Sequence, residues 1–529
     1  MGQLIAKFLN LIDGSNLQKL AVSRWGLIIG AILEGILLSM SIAPFSMWPL
    51  GIIALVFFML QESSIHRKTL VFLHTLIFFG TYASISLSWI EHVLSGFGEL
   101  PAALSYTVII LGSFAYVSLP YTIFNTLAFA FSKNHRNVFI LCFMPLAFIL
   151  ADFFVSFFLT GFPWLYVGYS CVDGPLKNYA PFIGVTGINV LIYILSAAIT
   201  LTALRDFLFL PIAAMILALG IFLEEIPQVQ REESFKVNLI QANIPQSVHN
   251  DGASADEIIG TYWGLTDLEN SKAKITIWSE SALPLLLNKA PLLIKDLDDS
   301  FKDRGMNLVT GIFTTDNRGI YNSIVTLGKD VSFDTIDAYR KRILVPFGEI
   351  VPFADLLRPL GSIFVMPNSS FSYGEENQES LKAQGHEFTP AICYEAVFPN
   401  VIRTMDNDKT SGIIMISNDS WFGPTKGPLQ HLNIARMRAM ELQKPMLRDT
   451  NSGITAYIDE YGKVISSLKT DISGVLNVDF YPVRGQSIFS RFGFTGTCII
   501  MLVLLIAGIA GIRIRPDENK LKINRLIRP

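Results

Sequence analysis

Cys393 ends the apolar run Thr389-Pro390-Ala391-Ile392 and is followed at once by Tyr394 and Glu395, so a nucleophilic thiol stands beside a phenol and a carboxylate. A free thiol, with a pKa of about 8.5, is mostly protonated at neutral pH, and it needs a base and a nearby cation to react as thiolate. Two other stretches offer these. Ile275-Thr276-Ile277-Trp278 runs into Ser279-Glu280-Ser281, and Tyr339-Arg340-Lys341 leads through Ile343-Leu344-Val345 to the turn Pro346-Phe347-Gly348-Glu349. Glu280 as base, Lys341 as cation and Cys393 as nucleophile are the candidate catalytic residues. Glu349, Tyr394 and Glu395 are candidate supporting residues. Glu349 either orients Lys341 or acts as a second acid, Glu395 tunes the site electrostatically, and each also suits a structural ion pair. Tyr394 either gates the intermediate or packs.

Each of the three key residues is expected at a strand end, where an open sheet presents side chains to a crevice. Residues 389–392 read as a strand before Cys393, 275–278 as one before Glu280, and the apolar run after Lys341 as a third. Lys236–Ile240 and Ile413–Ile416 read as further strands of the same domain. Trp421 and Phe422 either line an acyl pocket or belong to the core. His431, on an expected helix after Gly427-Pro428, is given a structural role. Residues 353–371, with Leu357, Leu360, Phe364 and Val365, are unusually apolar for a loop. They read either as an arm that dips into a membrane, making Leu357 and Phe364 candidate lipid contacts, or as a buried helix.

The chain around this domain is not that of a soluble protein. Its 529 residues are 51% hydrophobic and 16% charged, and the mean hydropathy is +0.44. Apolar windows at 25–45, 47–61, 69–89, 103–131, 137–159, 179–204 and 207–223 suit seven membrane spans, with an eighth at 491–512; the second and seventh are short. The expected organisation is therefore a membrane domain over 1–223, a catalytic domain over 224–490, a final span over 491–512 and a basic tail over 513–529. Arg24, Arg67, Lys68, Lys133, Arg136 and Arg205 mark alternate loops, and Arg513, Arg515, Lys520 and Lys522 mark the tail. The positive-inside rule then puts both termini in the cytoplasm and the catalytic domain outside it. The basic tail reads as a topology anchor and not as a nucleic-acid patch. Glu34 and Asp152 fall within apolar spans, where a charge is either functional or bonded to a neighbouring helix, and neither is assigned to catalysis. Cys142, Cys171 and Cys498 belong to membrane segments, which leaves Cys393 without an expected disulfide partner.

Glu, Lys and Cys in this order resemble the triad of the nitrilase, or carbon–nitrogen hydrolase, superfamily. The turns Ala43-Pro44-Phe45, Trp48-Pro49 and Gly161-Phe162-Pro163-Trp164 resemble the membrane signatures of apolipoprotein N-acyltransferases. Gln241–Ser247, Ser417-Asn418-Asp419-Ser420-Trp421-Phe422-Gly423, Gly427–His431 and Arg448–Ile454 extend the likeness along nearly the whole chain. The resemblance implies an α-β-β-α nitrilase-like sandwich inserted before the last of about eight helices, in a bacterial inner membrane with the catalytic domain on the periplasmic side.

It also implies the reaction. Cys393 takes an acyl chain from a membrane phospholipid as a thioester, and the N-terminal amine of an S-diacylglyceryl-cysteine on an apolipoprotein then receives it. Lys341 and a backbone N–H near residue 394 would stabilise the oxyanion. No metal or other cofactor is expected, and no nucleic-acid partner. Three positions depart from the family pattern: Asn250 where an aromatic ring is expected, with Trp263 as a candidate substitute, Ile343 near the triad lysine, and Val155 near the Gly-Phe-Pro-Trp turn. Two other functions stay open to the sequence, a membrane-anchored amidase and an idle lipid- or lipoprotein-binding scaffold.

Overall fold

The computed structural model describes residues 23–96, 98–132, 134–223, 226–245, 255–333, 336–350 and 371–514. Leu357, Phe364 and the rest of the apolar 353–370 stretch lie outside the described residues, as do Asn250 and the tail beyond Ile514.

The amino-terminal part is helical: α1 (Arg24–Ser41), α2 (Trp48–Glu62), α3 (Lys68–Ser86), the short α4 (Ile90–Gly96), α5 (Ala102–Ser132), α6 (Arg136–Thr160), α7 (Ala180–Ala203) and α8 (Leu210–Phe222). α4 was not anticipated; it occupies the acidic loop after α3. Pro at the first turn starts α2 and α8, where a missing N–H costs nothing. The acidic residues inside this bundle bond across helices. Asp152 accepts from the Tyr121 hydroxyl, from Asn189 Nδ2 at 2.8 Å and from the Tyr193 hydroxyl at 3.1 Å. His74 stands between Glu62, 2.9 Å away, and Glu34, 3.4 Å away. α7 is broken at Gly184 (φ +67), and the Phe489 ring occupies the space where a Cβ would stand.

A two-sheet unit follows. Its strands are β1 (Val229–Arg231), β2 (Phe235–Gln241), β3 (Ile275–Trp278), β4 (Leu283–Leu286), β5 (Asn307–Asp316), β6 (Gly319–Gly328), β7 (Ala338–Arg340), β8 (Leu381–Ala383), β9 (His386–Ile392), β10 (Thr410–Ser417), β11 (Met446–Thr450), β12 (Ala456–Ile458), β13 (Val464–Ser467), β14 (Gly474–Phe480) and β15 (Val483–Gly485). One sheet runs β14-β2-β3-β5-β6-β7 with β4 beside β5; the other runs β13-β12-β11-β10-β9-β8. β1 and β15 pair antiparallel where the chain enters and leaves the unit. Its helices are α9 (Ala255–Thr266), α10 (Pro291–Lys302), α11 (Pro399–Met405), α12 (Gly427–Leu442) and α13 (Ile488–Phe492). The chain closes with α14 (Thr495–Ile514). α14 starts later than the apolar window suggests, because Gly493 (φ +56) ends α13 first. Among the described residues, six helical segments are long and apolar enough to cross a membrane, and α2 and the segment containing α8 are the two shorter apolar ones.

Alternating side chains build three apolar layers. Val237, Ile277, Val309 and Ile324 from the first sheet meet Phe388, Ile392, Ile414 and Ile416 from the second. Trp278, Leu308 and Val325 pack outward on Ile258 and Tyr262 of α9 and Leu297 and Phe301 of α10. The outer face of the second sheet, with Ile413, Met415 and Met446, packs on Ile434 and Met437 of α12, and this layer is continuous with bundle residues such as Trp164, Tyr169 and Ile188. α12 is thus covered on both sides. That explains its weak amphipathicity and its many buried residues, Arg438 and Glu441 included.

Candidate active site

β2, β3 and β5 run parallel, as do β9, β10 and β11. The carboxyl ends of β3, β9, β10 and β11 carry Glu280, Cys393, Asn418 and Asn451. The two sheets meet at this end: Asn418 N–H donates to Glu280 Oε2 at 2.8 Å, and Asn243 N–H donates to the Asn451 carbonyl at 2.7 Å. Glu280 comes this close to β5 because residue 311 is glycine; a Cβ there would stand 2.6 Å from Ser281 N and 2.9 Å from Glu280 Cα.

The Lys341 ammonium is buried between two carboxylates, donating to Glu280 Oε1 at 3.0 Å and Glu349 Oε1 at 2.9 Å. Asn322 Nδ2 bridges the same oxygens, at 2.7 Å to Glu280 and 3.1 Å to Glu349. Glu349 Oε2 also accepts Val345 N–H at 2.9 Å, so the Pro-Phe-Gly turn curls back on itself. The expected strand after Lys341 is therefore absent. Lys341 instead follows β7, its N–H bonded to Asn322 O and its carbonyl to Gly374 N–H. Burial alone would lower the Lys341 pKa, but Glu280 and Glu349, with Cys393 beside them, hold it well above the usual lysine range.

Cys393 takes a left-handed conformation (φ +50) between β9 and a 3₁₀ turn. A non-glycine residue held there stores about 1–3 kcal/mol of strain. Burial, Glu280 and Asp419 push the thiol well above the usual cysteine range, against the opposing pull of Lys341. The Lys341 ammonium is shared between Glu280 and Glu349, so its pull on the thiol does not outweigh burial and the neighbouring carboxylates.

The elbow is braced by Glu395, which is fully buried. Glu395 Oε1 accepts the Tyr339 hydroxyl at 2.8 Å and Arg342 N–H at 2.6 Å, and Oε2 accepts Ile392 N–H at 2.8 Å. One carboxylate thereby ties the residues flanking Lys341 to the residue before Cys393. Burial raises its pKa and these donors oppose the shift. The Tyr394 hydroxyl donates to Gly161 O of the bundle at 3.1 Å, and its ring meets Phe398 edge-on at 5.2 Å. Phe422 lies in an aromatic cluster, 4.9 Å from Trp89 and 5.8 Å from both Trp164 and His431, while Trp421 is half-buried beside it on the same 3₁₀ turn. Trp263 is 42% exposed on α9. Ile343 packs against the core layer that includes the bundle, and Val155 is buried within that layer.

Four participants were not singled out from the sequence as site residues. His431 Nε2–H donates to the Cys393 carbonyl at 3.2 Å, while Nδ1 lies 3.1 Å from Asp419 Oδ1. Asp419 also accepts Arg448 Nη2 at 2.6 Å and the Ser417 hydroxyl at 2.6 Å. Burial works against the Asp419 carboxylate, but Arg448 and His431 hold its pKa below the usual range. The loops carrying Asp419, His431 and Arg448 were quoted as motifs, which was a usable signal. Asn322 sits mid-strand in Tyr321-Asn322-Ser323, and nothing in the sequence marks it.

Stacked sheets with an acid, a lysine and a cysteine at their strand ends define a carbon–nitrogen hydrolase domain, and residues 258–487 match the family described as carbon-nitrogen hydrolase. This domain is carried by a membrane bundle, whose residues 34–198 match the apolipoprotein N-acyltransferase N-terminal domain. A Shewanella oneidensis apolipoprotein N-acyltransferase is 35% identical over 509 residues, 93% of this chain and 96% of the relative. Counterparts in Photobacterium profundum (34%, 88% of this chain and 92% of the relative) and Vibrio cholerae (34%, 91% and 96%) are similarly close. A solved CN-hydrolase superfamily protein of Xanthomonas campestris covers 47% of this chain and 91% of its own at 15% identity and a TM-score of 0.36, a likeness too slight to argue from. The chain belongs to the apolipoprotein N-acyltransferase family, and it is an acyltransferase whose activity is the N-acylation of lipoproteins.

Proposed function

We propose that the reaction runs through Cys393 as a thioester with a membrane phospholipid as donor. Glu280 takes the thiol proton as Sγ attacks the ester carbonyl, and Lys341 with the amide of Tyr394 steadies the oxyanion. The carbonyl re-forms, the lysophospholipid alkoxide leaves, and Glu280 returns the proton to it. In the second half the amine of a diacylglyceryl-cysteine loses a proton to Glu280 and attacks the thioester. The departing sulfur recovers that proton. The observation carrying this reading is the convergence of Glu280, Lys341 and Cys393 at a strand-end face docked against a membrane bundle. An amine competes with water only in a shielded site, and the burial of Lys341 and Glu280 favours that.

Eight spans, cytoplasmic termini and an outward-facing catalytic domain complete the proposal, supported by the distribution of basic residues. Intact-mass spectrometry after incubation with phospholipid alone tests the mechanism. The expected adduct is one acyl group, lost on adding a diacylglyceryl-cysteine peptide and absent in Cys393→Ala. An adduct persisting in Cys393→Ala would refute it, and turnover of small amides without any adduct would point to the amidase.

A further inference from the structure

Gln430, in the first turn of α12, is buried at 4% exposure. Its Oε1 accepts both Trp89 Nε1–H at 3.1 Å and Trp164 Nε1–H at 2.8 Å; its Nε2 donates to Ala43 O at 3.2 Å and Ser86 O at 3.1 Å. An amide side chain has two lone pairs and two N–H groups, and here all four are used. The orientation is not ambiguous, because indole N–H only donates and a backbone carbonyl only accepts. The partners come from the turn after α1, from the end of α3 and the turn beyond it, and from the turn after α6. One side chain of the catalytic domain thus gathers three outer turns of the bundle.

The next residue, His431, bonds the Cys393 carbonyl at 3.2 Å. Of the two indoles that Gln430 holds, Trp164 stacks on this histidine at 5.7 Å, and Trp89 packs on Trp164 and, with it, on Phe422. The Trp164 turn returns to the nucleophile a second time, through the Tyr394 hydroxyl on Gly161 O.

We propose that Gln430 is a positioning residue which sets the bundle's outer turns in register with the helix steadying Cys393, so that a donor held by the bundle meets the thiol at the right depth. It touches neither the reacting atoms nor the triad. The inference rests on the proposed phospholipid donor, because a small soluble donor would not need that register.

The test uses full-length protein in lipid nanodiscs and Gln430→Glu, which keeps the acceptors for both indoles but turns oxygen toward the Ala43 and Ser86 carbonyls. Single-turnover acylation of Cys393 is followed by mass with phosphatidylethanolamine and, separately, with p-nitrophenyl acetate. Acylation by the lipid should fall roughly ten- to a hundredfold, as for a reactant misplaced by about an ångström. Acetylation by the small ester should stay within about twofold of wild type, since ground chemistry at the thiol is untouched. An equal fall with both donors, or no fall with either, overturns the proposal. Hydrogen exchange decides independently of the donor: exchange should rise at the Ser46–Trp48 and Leu87–Trp89 amides, and unchanged exchange there also overturns it. Wild type that takes acetyl but no lipid acyl group would refute the donor reading, and the exchange arm would still judge the clamp. If Gln430→Glu does not fold, Trp89→Phe, which removes one N–H and keeps the packing, should give the same lipid-selective loss on a smaller scale.

Discussion

Sulfur in this pocket is not reactive merely because a lysine is near. Two carboxylates compete for the Lys341 ammonium, and burial with Glu280 lifts the thiol pKa. A raised pKa keeps thiolate scarce at neutral pH, and its share grows as pH rises. Alkylation of Cys393 by iodoacetamide, read by peptide mass spectrometry, should therefore climb about tenfold per pH unit through pH 9. A plateau below pH 8.5 would mean a thiolate already formed at rest. Glu395 offers a second measurement. Its two oxygens serve three donors, so Glu395→Gln must turn an NH₂ toward at least one of them. The expected cost is about 1–3 kcal/mol in thermal or chaotrope unfolding, with slower acyl-enzyme formation. That Glu280, Lys341 and Cys393 would be grouped was legible in the sequence, because few residue types suit the proposed roles of base, cation and nucleophile. The bonding roles of Asn322, Gln430 and His431 were not, since amides and imidazoles fill many structural roles and only their partners reveal which.

Among the elements, α7 and α12 show where pattern reading stops. Hydropathy locates α7 but cannot show that Gly184 breaks it, or that Glu441 Oε1 of α12 accepts the Val185 N–H just beyond the break, at 2.7 Å. Burial raises the Glu441 pKa to about 7, against Arg438 and this same amide. Nor could the apolar run after Lys341 show that it would coil around Glu349 instead of extending. A Cβ at Gly184 would stand 2.3 Å from Phe489 Cε2 at a φ that side chains rarely adopt. Gly184→Ala should therefore lower the unfolding temperature of the solubilised protein by the equivalent of about 1–3 kcal/mol. Phe489→Ala alone should cost about 3–5 kcal/mol. In the double variant the steric part of the alanine cost should vanish, leaving a sum smaller than the two single effects. Strict additivity would show that the two positions do not share that space.

For the whole molecule, the apolar layer that runs from the second sheet through α12 into the bundle makes the two parts one packed body. Tyr169 OH reaches Val397 O at 3.4 Å, and Arg436 Nη2 reaches Asp173 Oδ1 at 2.5 Å, across the same junction. Excised residues 226–487 should bind a hydrophobic dye and aggregate without detergent, whereas a domain merely tethered to its anchor would stay monomeric; light scattering separates the two outcomes. The division into apolar helices and a more polar unit was readable from charge and hydropathy, and the two-sheet form of that unit was implied by the family resemblance. The junction was not, because a helix covered on both sides loses the periodic stripe by which surface helices are recognised.

The β1–β15 ribbon joins Val229 to Gly485 and Arg231 to Val483, so the way into the two-sheet unit is stitched to the way out. During synthesis the first of these strands emerges long before its partner. The seam can close only once the second strand has been made, with α13 and α14 following it in the chain. A nascent chain halted before Val483 would already hold Glu280, Lys341 and Cys393, yet its gateway would hang open.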